Sequence, residues 1–291
     1  MRLIFKFLLI AFSFSSLMLA IGTDFLVIPS TAGELALGTQ TGMTSDSYLN
    51  PASQDSRAVG IEFDFSMGSW LDGVRASSLN IGYSLFNGQA RSGFRFYGLD
   101  DIDYYDDRPS DQPLSSWGAY GISLDGSWSR KIGANQFGIG IHLLQIQLQT
   151  ESSSGVGFDL GYIRTMGNKL TIGGAILNLG RMNTLLETAP DLPLRIAAGI
   201  AYKFSHPDFP TILGINAEWS KQREQLIYNI GSQTNWKFMS LKLGTQTSPE
   251  VVTVSGGFAL NFGRYAIGYS IRFGSQQVGV PQLLDLSILV P

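Results

Sequence analysis

Cysteine is absent from the 291 residues, so the chain can form no disulfide, thiol nucleophile, lipid-attachment thiol or cysteine-based metal site. Histidine is nearly absent: His142 and His206 are the only two. Hydrolases of the outer membrane pair a histidine with a serine or with carboxylates. Here His142 stands beside Gly138 and Gly140 in an alternating stretch and reads as a hydrogen-bonded interior residue. His206 lies in the turn Ser205-His206-Pro207-Asp208, where a surface role is the default. Charged residues are only 15% of the chain, the net charge is −3 and no Lys/Arg block occurs, which argues against nucleic acid as a partner. Past residue 22 no run of about 18 apolar residues occurs, which excludes a bundle of membrane-spanning helices. No catalytic set, cofactor site or metal site remains, and the chain reads as a non-enzyme.

What the sequence has is alternation. Ile61, Phe63, Phe65 and Met67 share one face of an extended stretch, while Glu62, Asp64, Ser66 and Gly68 share the other, because successive strand side chains point to opposite sides. Ile196, Ile200, Tyr202 and Phe204 stand in the same way against Arg195, Gly199 and Lys203, and Tyr265 to Phe273 repeats the pattern. A soluble sandwich would carry long Lys and Glu side chains on its outer face. An apolar face of this size beside a face of Gly, Ser and charge is the pattern of a transmembrane antiparallel β-barrel. Residues 1–22 read as a secretory signal: Arg2 and Lys6, an apolar run to Ala20, then a small-x-small site. Residues 23–57 read as an N-terminal segment housed in the lumen or the periplasm, and 58–291 as the outer-membrane barrel.

The strands fall at 58–70, 74–86, 89–98, 115–130, 135–149, 155–166, 169–180, 192–204, 211–221, 224–236, 238–248, 251–262, 264–274 and 282–290. Fourteen is an even number, as single-chain bacterial barrels require, although boundary error of about two to four residues leaves twelve open. The longest connections are odd-numbered, as in a barrel entered from the periplasm; the first, ninth and eleventh are short exceptions and the eighth is longish. Between Phe137 and Leu148 the apolar phase slips from Leu143 to Leu144, which implies a bulge. The 34 glycines suit an interior wall that admits something close to its backbone.

Five features together carry a resemblance. They are a small-residue segment ending in Ala36-Leu37-Gly38, the motif Asn50-Pro51-Ala52, Ile176-Leu177-Asn178-Leu179-Gly180, Leu192-Pro193-Leu194-Arg195, and a tail from Thr253 to Leu289. In order and spacing the mature chain resembles the PorV/PorQ family of outer-membrane barrels, part of the broader FadL-like group. The resemblance implies fourteen strands and an N-terminal segment packed in or under the barrel. It also implies a binding or assembly role in a type IX-like secretion system, with secretion components or cargo C-terminal domains as partners and outer-membrane lipid around the wall. The alternative is a FadL-like transporter of a hydrophobic solute. The chain departs from the pattern after Ala52, where Gly is usual, and at Leu289-Val290-Pro291, where an aromatic residue normally closes the last strand.

Glu62, Asp64, Asn80, Arg95, Asp159, Arg195 and Arg272 fall on the lumen face. Their mixed signs suggest charges that pair or brace the N-terminal segment, rather than a selectivity ring. The acidic run Asp100 to Asp111 reads as a solvated outer loop without EF-hand spacing. Within it, Tyr104 and Tyr105 are the candidates for docking a partner.

Overall fold

The computed structural model describes residues 22–40, 48–53, 60–70, 73–104, 112–275 and 279–291. A 3-10 turn (Thr23–Val27) and a short helix α1 (Ala32–Ala36) precede fourteen strands. These are β1 (Ile61–Ser69), β2 (Arg75–Leu85), β3 (Gly88–Tyr104), β4 (Ser115–Ile132), β5 (Asn135–Leu148), β6 (Glu151–Met166) and β7 (Leu170–Met182). The rest are β8 (Arg195–Phe204), β9 (Thr211–Ser220), β10 (Gln225–Trp236), β11 (Met239–Thr247), β12 (Val252–Phe262), β13 (Tyr265–Gly274) and β14 (Gln282–Val290). Each strand pairs antiparallel with its chain neighbours, and β1 pairs with β14 from Ile61↔Val290 to Ser69↔Gln282, so the sheet closes on itself. Closure leaves no edge with unpaired backbone groups, the condition for strands to cross hydrocarbon.

Burial runs the opposite way to that of a water-soluble protein. Phe65 and Met67 are 42% and 50% exposed on the outside of β1, while Ser66 between them is 1% exposed. The outward rows of the other strands are likewise large and apolar, among them Ile139, Leu160, Ile196, Ile215 and Leu243. Such a surface needs lipid, not water. Near one end the outward aromatics gather into a girdle, with ring centroids 5.3 Å apart for Phe137 and Tyr162, 4.8 Å for Tyr202 and Phe204, and 5.8 Å for Phe238 and Phe262. That end also carries the tight turns at 86–87, 133–134, 237–238 and 263–264, while 183–194 and the strand ends at Tyr104, Ser115, Gly274 and Gln282, from which the other two long connections run, lie at the other. The rule is loose: among odd connections β5–β6 passes through 149–150 alone and β1–β2, β9–β10 and β11–β12 are short, while the even β8–β9 connection spans 205–210.

Two local readings are corrected. β5 carries no bulge at Leu143: its pairing with β4 and β6 is unbroken, Leu143 is 54% exposed outside, and Leu144 and Ile146 are 4% and 3% exposed inside. The apolar residues change face because the outer half of the lumen is filled with protein. The irregularity lies in β7 instead, where Asp159 of β6 faces both Leu177 and Asn178, and Asn178 takes φ 61°. Finally, the acidic run is not all loop: residues 100–104 belong to β3, with Ile102↔Trp117 and Tyr104↔Ser115 pairing beyond a register shift after Leu99.

Candidate functional site: the luminal segment and its wall

Residues 22–40 and 48–53 lie inside the barrel, and they are what the inner wall is built to hold. Toward the long-loop end the lumen is apolar. Phe25, Leu26, Ile28 and Leu35 pack there with Tyr97, Leu144, Ile146, Met182, Leu192 and Leu283. The Phe25 ring centroid is 6.2 Å from that of Tyr97, and the ring lies where a side chain on Gly121 would have to be. The start of the segment reaches the loops: Thr23 donates to the Asp191 carbonyl at 2.5 Å. Asp24 stands beside Gln222 and Arg223, and burial pushes its carboxyl above the usual range despite the Arg223 charge.

Deeper in, the wall reads the backbone of the segment. Asp285 accepts from Ala32 N at 2.8 Å through both oxygens, capping α1 from the side of the barrel. Tyr97 donates to the Pro29 carbonyl at 2.7 Å, Ser78 to that of Ser30 at 2.6 Å, and Ser255 to that of Ala36 at 3.0 Å. Arg272 reaches the Leu35 carbonyl at 3.3 Å and Thr39 Oγ1 at 2.6 Å. Within the segment, Thr31 caps α1 by accepting from Glu34 N at 3.1 Å. The buried Glu34 carboxylate gathers Ser30 N, Ser30 Oγ and Tyr48 N at 2.8, 2.9 and 2.5 Å, tying the two described pieces together. Tyr48 donates to Asp64 under the Arg91 guanidinium, which is 3.9 Å from the ring centroid. Burial first, and then the Asp64 charge, raise the Tyr48 phenol well above its ordinary value.

Asn50-Pro51-Ala52 forms a tight turn in which Asn50 Oδ1 accepts from Ala52 N at 2.9 Å. It is pressed onto Gly138 and Gly161, where any Cβ would strike its backbone. A glycine wall is the sequence trace of this close approach.

A polar chain crosses five strands beside the segment. Arg95 Nε donates to Asp125 at 2.7 Å, His142 lies 2.6 Å from Asp125 and 2.7 Å from Asp159, and Asn178 N donates to Asp159 at 2.7 Å. Both His142 nitrogens thus face carboxylates, which suits two donors, as in an imidazolium. The cavity between this chain and Ser30, Tyr48 and Pro51 holds about 40 Å³, room for a few water molecules.

All seven charged or polar residues picked out for the lumen point inward. Arg95 and Asp159 belong to the polar chain, Arg195 pairs with Glu218 at 3.5 Å, Arg272 and Asp64 bind the segment, Asn80 lines the cavity and Glu62 faces Tyr48. Asp125, Glu218, Lys242 and Asp285 were missed, although the same alternation places each of them inward. Glu34 lies outside any strand, so alternation carries no sign of it. Tyr104 is the last residue of β3, and Tyr105 lies outside the described residues.

No protein-family model and no curated protein matches the chain. Among solved structures its fold is similar to the CymD monoaromatic hydrocarbon channel, with TM-score 0.63 and 12% identity over 90% of this chain and 97% of that one. It is also similar to a deltaS2S3 mutant of the TodX monoaromatic hydrocarbon channel (TM-score 0.59, 12% identity, 90% and 98% covered). A Pseudomonas aeruginosa FadL homologue gives TM-score 0.56 and 11% identity over 91% and 99%. At such identity the likeness shows the fold alone, a closed β-barrel like those of these channels. PorV/PorQ finds no counterpart among these structures.

Proposed function

We propose that the chain is an outer-membrane channel for small hydrophobic molecules, closed by its own N-terminal segment. The observation that carries this reading is the filling of the lumen. A water-filled porin has a polar interior, whereas here the half nearest the long loops is lined by Leu144, Ile146, Met182, Leu192 and Leu283 and occupied by Phe25, Leu26 and Ile28. An apolar solute entering from the loops would meet a compatible wall once those three side chains withdraw. The hydrocarbon channels sharing the fold support the same reading. In this account residues 1–22 direct export, the short turns face the periplasm, and the luminal charges hold the closed state. Asn50, Pro51 and Ala52 anchor the end of the segment nearest the short turns.

The test is uptake of a labelled single-ring hydrocarbon and of a labelled fatty acid by cells with and without the chain, alongside surface export of secreted cargo. Slower uptake with unchanged export supports the channel. Unchanged uptake of both solutes overturns it, and lost export would return the reading to secretion with docking at Tyr104 and Tyr105.

A further inference from the structure

The short-turn end of the barrel carries a ring of uncompensated cations. Arg130, Lys131, Arg164, Lys169, Lys203, Lys237 and Arg264 sit in or beside the turns β4–β5, β6–β7, β8–β9, β10–β11 and β12–β13, and all seven are exposed. Asp208 is the one carboxylate side chain in those turns. Among the described residues none of the seven forms an ion pair. The opposite end mixes its signs, with Glu151, Glu187, Glu224 and Glu250 standing among Arg181, Lys221 and Arg223.

The depth of the ring follows from its neighbours. Arg264 precedes the outward Tyr265, and Lys237 Nζ lies 5.4 Å from the centre of the Trp236 ring, while Lys203 leaves the inner face of β8 one residue before its end. Aromatic girdles mark the boundary between hydrocarbon and headgroups, so these cations stand at headgroup level. They are also spread from β4 round to β13, whereas a docked acidic protein would need a patch on one side. We infer that this rim binds a leaflet of anionic phospholipid through its phosphodiester headgroups, fastening the short-turn end in the membrane. Each cation near an anionic surface contributes about fivefold to the preference.

The test uses quenching of rim tryptophans by brominated lipids. Trp128 and Trp236 lie at this end, so Trp70, Trp117 and Trp219 are changed to Phe. The full barrel is then reconstituted in phosphatidylcholine vesicles with brominated phosphatidylglycerol or brominated phosphatidylcholine. The expected result is a several-fold higher association constant for phosphatidylglycerol, fading with added salt. The preference falls to near unity in the combined variant with all seven rim cations changed to Gln, and survives Lys221→Gln at the far end. Heat-dependent gel mobility checks folding; should the combined variant not fold, Lys237→Gln alone makes the comparison beside Trp236. Equal constants for the two lipids, or a preference that survives neutralisation of the rim, overturns the inference. So does tight binding of a soluble polyglutamate peptide without any lipid preference. None of these readouts depends on solute passage, so the channel reading stands or falls separately.

Discussion

Replacing Phe25 with Ala should open the barrel without unfolding it. Phe25 is 3% exposed, packed on Tyr97 and seated over Gly121. Truncating such a buried ring costs about 3–5 kcal/mol. That cost falls on the docked segment alone, because the strand ladder of the barrel involves no residue before 60. At about 1.4 kcal/mol per tenfold change, the equilibrium between docked and withdrawn segment moves toward withdrawal on the order of a hundred- to a few-thousand-fold. The assay is ion conductance across a planar bilayer together with efflux of a small apolar dye from proteoliposomes. Phe25→Ala should raise both, and Phe25→Leu, which keeps most of the apolar volume, should lie close to wild type. A variant whose heat-dependent gel mobility matches the parent, yet whose conductance and efflux are unchanged, would refute the idea that docking of this segment closes the lumen.

Three further outcomes follow from the same contacts. Burial raises the Asp24 carboxyl above 3.8, so its ionisation opposes docking: docking is strongest below that value and weakens as pH rises through the folded-state pKa. Asp24→Asn should therefore slow hydrogen exchange of residues 23–28 at neutral pH and make no difference in acid. Gly138→Ala places a methyl group against the Pro51-Ala52 backbone; an overpacking cost of about 1–3 kcal/mol should expose residues 48–53 to added protease. Asp125→Leu strips Arg95 and His142 of their shared carboxylate, leaving buried charge whose cost is about 3–5 kcal/mol. The heat-dependent gel transition of the barrel should drop accordingly, and an unchanged transition would show the polar chain to be dispensable.

Alternation made the architecture legible because each strand faces two different solvents. It located the fourteen strands, and it set Glu62, Asp64, Arg95, Asp159, Arg195 and Arg272 on the inner face. It misled at Leu144 and Ile146, where the inner environment turns apolar and the true face of each residue depends on Phe25, about 120 positions earlier in the chain. The β3 extension through residues 100–104 was hidden by acidic side chains that are tolerable on a strand outside hydrocarbon. The bulge in β7 left its mark in Asn178, a residue that accepts positive φ, but a single Asn does not announce one. The closing contacts were least legible of all. Tyr97, Ser78 and Ser255 donate to backbone carbonyls of the segment, and carbonyls carry no sequence. The resemblance to a secretion family rested on motifs such as Asn50-Pro51-Ala52 that in the fold shape the luminal segment, a feature a channel needs equally.

The absence of native cysteine allows a direct test of whether the segment must move for passage. Ala36 Cβ lies 3.0 Å from where a Cβ on Gly257 would stand, and that Cβ would also press on the Tyr269 carbonyl oxygen at 2.6 Å, so a disulfide forms once the segment shifts inward by roughly 0.8 Å to the usual Cβ spacing of about 3.8 Å. The pair Ala36→Cys and Gly257→Cys, measured for hydrocarbon flux in proteoliposomes before and after reduction, should be shut when oxidised and recover to the flux of the reduced protein. Equal flux through the cross-linked and the reduced barrel would contradict the account.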